Sequence, residues 1–276
     1  MATWAGGRGP GPGLRLGSGH PHPTIALAGN PNTGKSTLFN ALTGLGQHTG
    51  NWSGKTVTLA RGVVRHRGRP YAVVDLPGTY SLLPSSAEER VASDFLCLER
   101  PEATVVVVDS TCLERNLNLV LQVLEVTDRV VVAANLLDEA RRKGLEPDPE
   151  ALAEALGVPV VGTVATRGWG LARLMDTVEA VVTGSVRPHP RRVRYDPDVE
   201  ALLDRLEPLL VKALPRGAAV RWLAVRVLCG DPTALSHLRD GELDEVVRLL
   251  AVADRSEPGV AGILTTAAGT LGGGLK

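Results

Sequence analysis

The chain has 276 residues, 43% hydrophobic and 22% charged, which is enough apolar material for one or two domains with a buried core. Lysine plus arginine equals aspartate plus glutamate at 30 each. That balance argues against a broad nucleic-acid or anionic-membrane surface, so no nucleic-acid partner is expected. Cys97, Cys112 and Cys229 lack the paired spacing of a zinc site or a disulfide framework and fit a reducing cytoplasm. No charged start followed by an apolar core marks a secretory signal. The uncharged stretch 258–275 is too rich in Gly, Ala and Thr to read as a membrane span.

In chain order, residues 1–23 are rich in Gly and Pro and are expected to be disordered. An apolar strand at 24–28 then runs into Gly29-Asn30-Pro31-Asn32-Thr33-Gly34-Lys35-Ser36, which matches the phosphate-binding pattern G-x-x-x-x-G-K-[ST] at every fixed position. Ser36-Thr37-Leu38-Phe39-Asn40 continues it as a helix, the context the motif requires. Glycines let backbone N–H groups wrap a polyphosphate, and the helix N-terminus adds favourable partial charge. Lys35 is placed to reach the β- and γ-phosphates and Ser36 to ligate Mg²⁺. Strands are predicted at 56–66 and 71–75, joined by Arg67-Gly68-Arg69-Pro70 as an antiparallel edge hairpin, and at 104–109, 129–135 and 158–161. Their Val-rich runs suit a sheet buried on both faces.

The intervening helices carry readable caps. Ser86-Ala87-Glu88-Glu89 is a capping box before a helix at 91–98. Asp148 and Pro149 open a helix at 150–156 that Gly157 closes, and 170–182 forms the next. This βα alternation predicts a doubly wound, mostly parallel, six-stranded P-loop nucleotide-binding domain over 24–185. After a basic joint at 188–194 the pattern is helical only. Val199, Leu202, Leu203, Leu206, Leu209 and Leu210 share one helix face, and helices are predicted at 220–228 and 242–252. A small all-α domain is therefore expected over 195–256, with a flexible tail over 257–276.

Further motifs follow in the order a GTPase requires. Asp75-Leu76-Pro77-Gly78 ends a strand, where the Asp75 carboxylate can hold Mg²⁺ through water and the Gly78 N–H can meet a γ-phosphate. Asn135-Leu136-Leu137-Asp138 ends another. The Asp138 carboxylate can accept from guanine N1–H and the exocyclic amine, a donor pair that adenine lacks. Thr56, in a glycine-rich loop at 50–57, is the candidate second Mg²⁺ hydroxyl and a switch element; the alternative is that it merely starts a strand. Thr163-Val164-Ala165-Thr166-Arg167-Gly168 follows the last strand and can pack its backbone on the base.

Together these residues resemble the cytoplasmic part of ferrous iron transport protein B, FeoB. The likeness rests on Gly29-Asn30-Pro31-Asn32, Gly50-Asn51-Trp52, Asp75 through Leu82 and Leu113-Glu114-Arg115-Asn116-Leu117, and it extends to Arg221-Trp222-Leu223-Ala224 and Gly230-Asp231 in the helical part. The resemblance implies a GTP/GDP site formed by 29–37, 75–78, 135–138 and 164–166, with Thr37, Leu76, Pro77, Leu136, Leu137, Val164, Ala165 and Thr166 among its residues. It implies Ser36, Thr56 and Asp75 at Mg²⁺, and Asn32 at an activating K⁺ that supplies charge where other GTPases use an arginine finger. Asn32, Lys35, Thr56 and Gly78 would carry the catalysis. Thr79 stands where many small GTPases carry a catalytic Gln, so slow turnover is expected. The helical part would act as a guanine-nucleotide-dissociation-inhibitor-like spacer that receives the nucleotide state. Two positions depart from the family pattern, with Val164 for a usual Ser and Ser53 for a usual Pro.

The family continues into a membrane permease, and none follows in this sequence. Iron translocation is therefore expected to lie outside these residues: the chain is either a separately encoded or truncated G-protein portion, or one that works with a separate membrane permease component, cytoplasmic or held through that partner at the inner face of the plasma membrane. Three readings follow. The first is a GTP-hydrolysing switch regulating Fe(II) uptake. The second is a nucleotide-dependent regulatory module with negligible hydrolysis. The third, a ribosome-associated GTPase, is disfavoured by the neutral charge.

Overall fold

The computed structural model describes residues 21–44, 48–51, 58–83, 86–213, 219–229, 231 and 234. The expectations for Thr56, the helix at 242–252 and the tails at 1–20 and 257–276 lie outside these residues. Strands β1 (Thr24–Gly29), β2 (His48–Asn51), β3 (Thr58–His66), β4 (Arg69–Asp75), β5 (Ala103–Asp109), β6 (Val130–Asn135) and β7 (Val160–Gly162) form one sheet in the order β2-β3-β4-β1-β5-β6-β7. Pairings from β4 through β7 are parallel, whereas β2–β3 and β3–β4 are antiparallel. The sheet is mostly parallel and doubly wound, as expected. Its seventh strand is β2, four residues at the edge whose HTGN sequence carries no strand signal.

The hairpin turns on Arg67 and Gly68, both at positive φ (49° and 79°), as a two-residue primed turn demands. Its tip is tied to α6 (Leu171–Thr183): Arg67 Nη2 lies 2.8 Å and His66 Nε2 2.7 Å from Asp176 Oδ1.

Alternation along the central strands sends side chains into two cores. Ile25, Leu27, Val73, Val105, Val107, Val131 and Ala133 face α1 (Lys35–Thr43) and α6. Ala26, Ala28, Val74, Val106, Val108 and Val132 face the other way. There they meet α2 (Ala87–Asp94), the π-helical turn Phe95–Glu99 that continues it, and α3 (Leu113–Val126). Helix α2 starts on the predicted capping box, with Ser86 Oγ accepting from Glu89 N–H at 3.1 Å and Glu89 returning the bond to Ser86 N–H at 3.2 Å. The short α4 (Leu137–Arg142) follows β6. Asp148 caps α5 (Pro149–Leu156), with Gly157 left-handed at its end.

Helices α7 (Pro197–Ala213) and α8 (Val220–Leu228) continue the second core. Leu202, Leu203, Leu206, Leu210, Trp222 and Leu223 are buried in the same cluster as Val91, Phe95, Leu96 and Leu119. The helical part thus shares apolar surface with the sheet domain. Ionic contacts reinforce the join. Arg221 reaches Glu200 at 2.8 Å and Glu207 at 3.2 Å on α7, and Glu125 at 3.3 Å on α3. Fully buried Arg226 bonds Asp231 at 2.6 Å and lies 3.8 Å from Asp94 of α2.

Removing one member of a buried charge cluster leaves its partners unpaired. Arg221→Met is therefore expected to cost about 3–5 kcal/mol, against about 1 kcal/mol for the cap change Ser86→Ala. Urea unfolding followed by circular dichroism measures both.

Candidate nucleotide site

Every motif residue in the described segments sits at one edge of the sheet, where the parallel strands end. The loop 29–36 leaves β1, 75–79 leaves β4, 135–138 leaves β6 and 163–168 leaves β7. In a doubly wound sheet this carboxyl edge is where ligands bind.

The loop after β1 needs its glycines for different reasons. A Cβ on Gly29 would come within 2.6 Å of Val107 O on the neighbouring strand. Gly34 has φ +80°, and a Cβ there would collide with the Asn135 amide. Asn32 is also left-handed, at φ 67°, a conformation asparagine tolerates better than most residues. Thr33 is buried, with its hydroxyl donating to Asn30 O at 2.9 Å. Helix α1 then begins without a side-chain cap, so its first N–H groups and their partial positive charge stay at the loop.

Three predicted residues converge there. Lys35, nearly buried, places Nζ against the Asp75 carboxylate and donates to Leu76 O at 2.6 Å. Ser36 Oγ donates to Asp75 Oδ2 at 3.2 Å. A hydroxyl and a carboxylate this close are the hard oxygen donors a small divalent cation takes, and the uncapped glycine-lined loop beside them suits phosphate oxygens. The residues present fit a metal-bound nucleotide. Asn30 adds an orphan, since its buried Oδ1 has no hydrogen-bond partner among the described residues while its Nδ2 donates to Arg115 O at 3.4 Å. Gly78 lies against the loop, where an added Cβ would sit 3.4 Å from Pro31 Cα. Thr79 N–H donates to Gly29 O at 3.2 Å, and its hydroxyl is turned into its own chain, donating to Ser81 O at 2.6 Å.

Asn135 is fully buried and joins three loops. Its Nδ2 donates to Thr33 O at 2.9 Å, and its Oδ1 accepts from Thr163 Oγ1 and Ala165 N–H, each at 3.1 Å. The sequence placed Asn135 among the nucleotide contacts; in the structure its amide braces the phosphate loop against the 163–168 loop. Leu136 holds the left-handed conformation at φ 61° before α4, an unfavourable state for leucine of the kind that gathers at functional sites. Asp138 follows in the first turn of α4, partly exposed, with Arg167 Nε 3.8 Å from its carboxylate. Val164 and Ala165 are nearly buried and Thr166 is exposed. Val164 N–H donates to the carbonyl of Trp169, which is 53% exposed.

Sequence reasoning missed the supports of the 78–83 segment. Gln122 Oε1 on α3 accepts from Leu82 N–H at 2.6 Å and Ser81 Oγ at 3.1 Å. Arg115 stacks its guanidinium 4.5 Å from the Tyr80 ring centroid. A glutamine seven residues after an arginine on one helix face is the only signal available, and it does not say what the face touches.

The profile of ferrous iron transport protein B matches residues 23–178, and that of the FeoB cytosolic helical domain matches 195–256. The chain belongs to the FeoB family. It is 40% identical over 251 residues to the Fe(2+) transport protein A/Fe(2+) transporter FeoB fusion protein of Porphyromonas gingivalis, covering 84% of this chain and 30% of that protein. It is 35% identical over 269 residues to the Fe(2+) transporter FeoB of Escherichia coli K12, covering 90% and 34%. The chain thus spans about a third of the length of these curated relatives. Among solved structures it is similar to an S. thermophilus NFeoB mutant bound to mGDP, with TM-score 0.74, 29% identity and coverage of 90% of this chain and 99% of that one. It is also similar to the cytosolic domain of the T. maritima FeoB iron transporter in a GDP form, with TM-score 0.71, 32% identity and coverage of 88% and 97%. These likenesses support a GTPase domain that binds guanine nucleotide. Among the described residues no helix is long and apolar enough to cross a membrane.

If Asn135 is the brace between loops, Asn135→Ala leaves buried partners unsatisfied. It should cost about 1–3 kcal/mol per stranded group and weaken binding of fluorescent GDP by at least roughly tenfold. Isothermal titration alongside urea unfolding separates the two effects.

Proposed function

We propose that this chain is a GTP-hydrolysing switch that regulates Fe(II) uptake, its G domain spanning 24–185 and its helical domain 195–256, acting at the cytoplasmic face with a membrane permease component. The observation that carries it is the Lys35–Ser36–Asp75 cluster at the N-terminus of α1, on the same sheet edge as Asp138. The relatives' description as Fe(2+) transporters supports the link to iron.

In this reading the backbone of 29–37 wraps the phosphates and Lys35 exchanges Asp75 for the β- and γ-oxygens. Ser36 and Asp75, with Thr56 as the sequence expects, would hold Mg²⁺, directly or through water. Asn32 would take part in holding K⁺. Bound there, the cations would add positive charge beside the phosphoryl oxygens. Gly78 offers its N–H to the γ-phosphate, Asp138 accepts from the two guanine donors, and Leu76, Pro77, Leu136, Leu137, Val164, Ala165 and Thr166 shape the pocket walls. The protein supplies position and field more than covalent chemistry, as phosphoryl transfer requires. Thr79 spends its hydroxyl within its own turn, which supports slow turnover and leaves water to be positioned by backbone groups. The same observation favours the second reading, a regulatory module with negligible hydrolysis.

Phosphate release measured with Mg²⁺ in potassium and then in sodium tests the first reading. Potassium should stimulate turnover by about tenfold or more, and Asn32→Ala should abolish the stimulation. Tight GTP binding without turnover in either salt favours the regulatory module. For the base, Asp138→Asn should weaken GTP binding by about 1.5–3 kcal/mol and favour xanthine nucleotides. Unchanged GTP affinity would remove Asp138 from the base site.

A further inference from the structure

The edge of the sheet opposite the nucleotide loops holds a cavity. Strands β5 and β6 begin there, and the residues leading into them, Arg100-Pro101 and Thr127-Asp128-Arg129, form two of its walls. The end of α3, Arg192 of the joint and the start of α8 complete it, around a volume of about 670 Å³. Small-molecule sites fall within about 300–1,000 Å³. None of the nucleotide motifs reaches this space.

Leu96, Cys97, Val126 and Val220 give it an apolar lining. Leu96 and Cys97 are buried, and Val126 and Val220 pack on the same core. Burial pushes the Cys97 thiol up to about 12, so this surface carries no charge at neutral pH.

The charged residues around it do not cancel. Arg221 meets Glu125 and Glu207 at 3.3 and 3.2 Å, and Arg192 meets Asp128 at 2.9 Å. Burial pushes the Glu99 carboxyl up from its ordinary range, and Arg61 stands beside it as the opposing charge. Each lining carboxylate therefore has a cation. Arg100 and Arg129 line the cavity too, and among the described residues neither guanidinium has an ion pair or a hydrogen bond. Two positive charges are left over beside an apolar surface.

The backbone at Arg100 shows that its side chain is kept for a purpose. It follows the π-helical turn Phe95–Glu99 at φ 49° and ψ 67°, in the left-handed region. Glycine would hold that conformation without strain, and arginine is disfavoured there. Single π-turns and strained backbone gather at functional sites, and the nucleotide site uses neither of these. A guanidinium offers parallel N–H donors that fit two oxygens of a carboxylate or a phosphate.

We propose that this cavity is a second ligand site, taking a small organic anion whose carboxylate or phosphate head meets Arg100 and Arg129 and whose apolar body lies on Leu96, Val126 and Val220. Its walls come from the sheet domain, the joint and the helical part, so a bound ligand touches all three.

The test uses the full chain with GDP present, and the probe is anilinonaphthalene sulfonate, an anion with an apolar body whose fluorescence rises when it leaves water. One saturable site is expected, and the melting temperature should rise as it fills. Octanoate and octyl phosphate should displace the probe. Octanol, the same body without the charge, should not do so at equal concentration, and excess GTP should leave the probe in place. The double variant Arg100→Gln with Arg129→Gln should weaken the probe at least about tenfold and leave GDP affinity within about twofold of the wild type. Arg100→Gly separates ligand binding from stability. Glycine suits the left-handed backbone, so the chain should melt no lower than the wild type while the probe binds more weakly. Val220→Phe, which fills the cavity and keeps both arginines, should also weaken the probe. Non-saturable binding, displacement by GTP, equal displacement by octanol or unchanged affinity in the double variant would overturn the proposal. So would sedimentation with phosphatidylglycerol vesicles that depends on both arginines while the soluble anions fail to bind, because the two side chains would then be a lipid contact.

Discussion

The Asn135 amide is the contact on which the site's geometry depends. One buried side chain bonds the carbonyl of Thr33, the hydroxyl of Thr163 and the N–H of Ala165, and so fixes three loops relative to one another. Each bond alone is worth about 1 kcal/mol, but an unmet donor or acceptor in that dry interior costs more. The loops come from β1, β6 and β7, which are locked in register by parallel pairing. Gly34 is required for the same reason, since a side chain there would occupy the amide's place. The brace also limits where Asp138 can stand, three residues on across the left-handed Leu136. Asp138 and the phosphate loop are thereby held as one unit.

A second constraint comes from charge. Lys35 and Asp75 are each mostly shielded from water and face one another. Their attraction is strong in a low-dielectric site, and each would be costly to leave alone. In the proposed reading a phosphate chain with its cation would offer each a new partner of the right sign, oxygen for Lys35 and metal or its water for Asp75. Such an exchange of partners, rather than exposure of bare charges, would let the site open and close at low cost. Leu76 sits between these roles. Its carbonyl accepts from Lys35 and its N–H donates to Leu27 O, so the chain leaving β4 is tied both to the sheet and to the lysine.

How much of this could be read in the sequence follows from which interactions are local. The phosphate loop, the capping box at Ser86 and the N-cap at Asp148 are written in consecutive residues, and the structure forms them where the spacing put them. The hairpin turn is tighter than expected, two residues rather than four, because Arg69 and Pro70 pair with His66 and Arg65 as part of β4. The buried Val-rich strands were equally legible, because a strand covered on both faces has to be apolar throughout. Strand β2 was not legible. It is held only by pairing to β3 at the sheet edge, and its own residues do not favour extension. Asn135 was found for its motif but its bracing role was hidden, since Thr33 and Thr163 are 102 and 28 residues away. Gln122 and Glu125 were invisible for the same reason. Polar residues on a helix face signal solvent by default, and only the tertiary structure shows that these two are met by distant segments of the same chain, Ser81–Leu82 and Arg221.

The burial of the helical part sharpens what its separate sequence pattern suggested. Leu202, Leu206 and Trp222 lie in one continuous core with Phe95 and Leu96, at the π-helical turn that ends α2. A shared apolar core gives cohesion without direction, because side chains of similar size can slip past one another. The guanidinium of Arg221 supplies direction, since its hydrogen bonds hold only in one arrangement of α3, α7 and α8. A surface pair would be worth too little to matter. Here Glu125 is enclosed, so separation would strand its charge in the interior. The join therefore resists partial opening: it either holds as a unit or repacks.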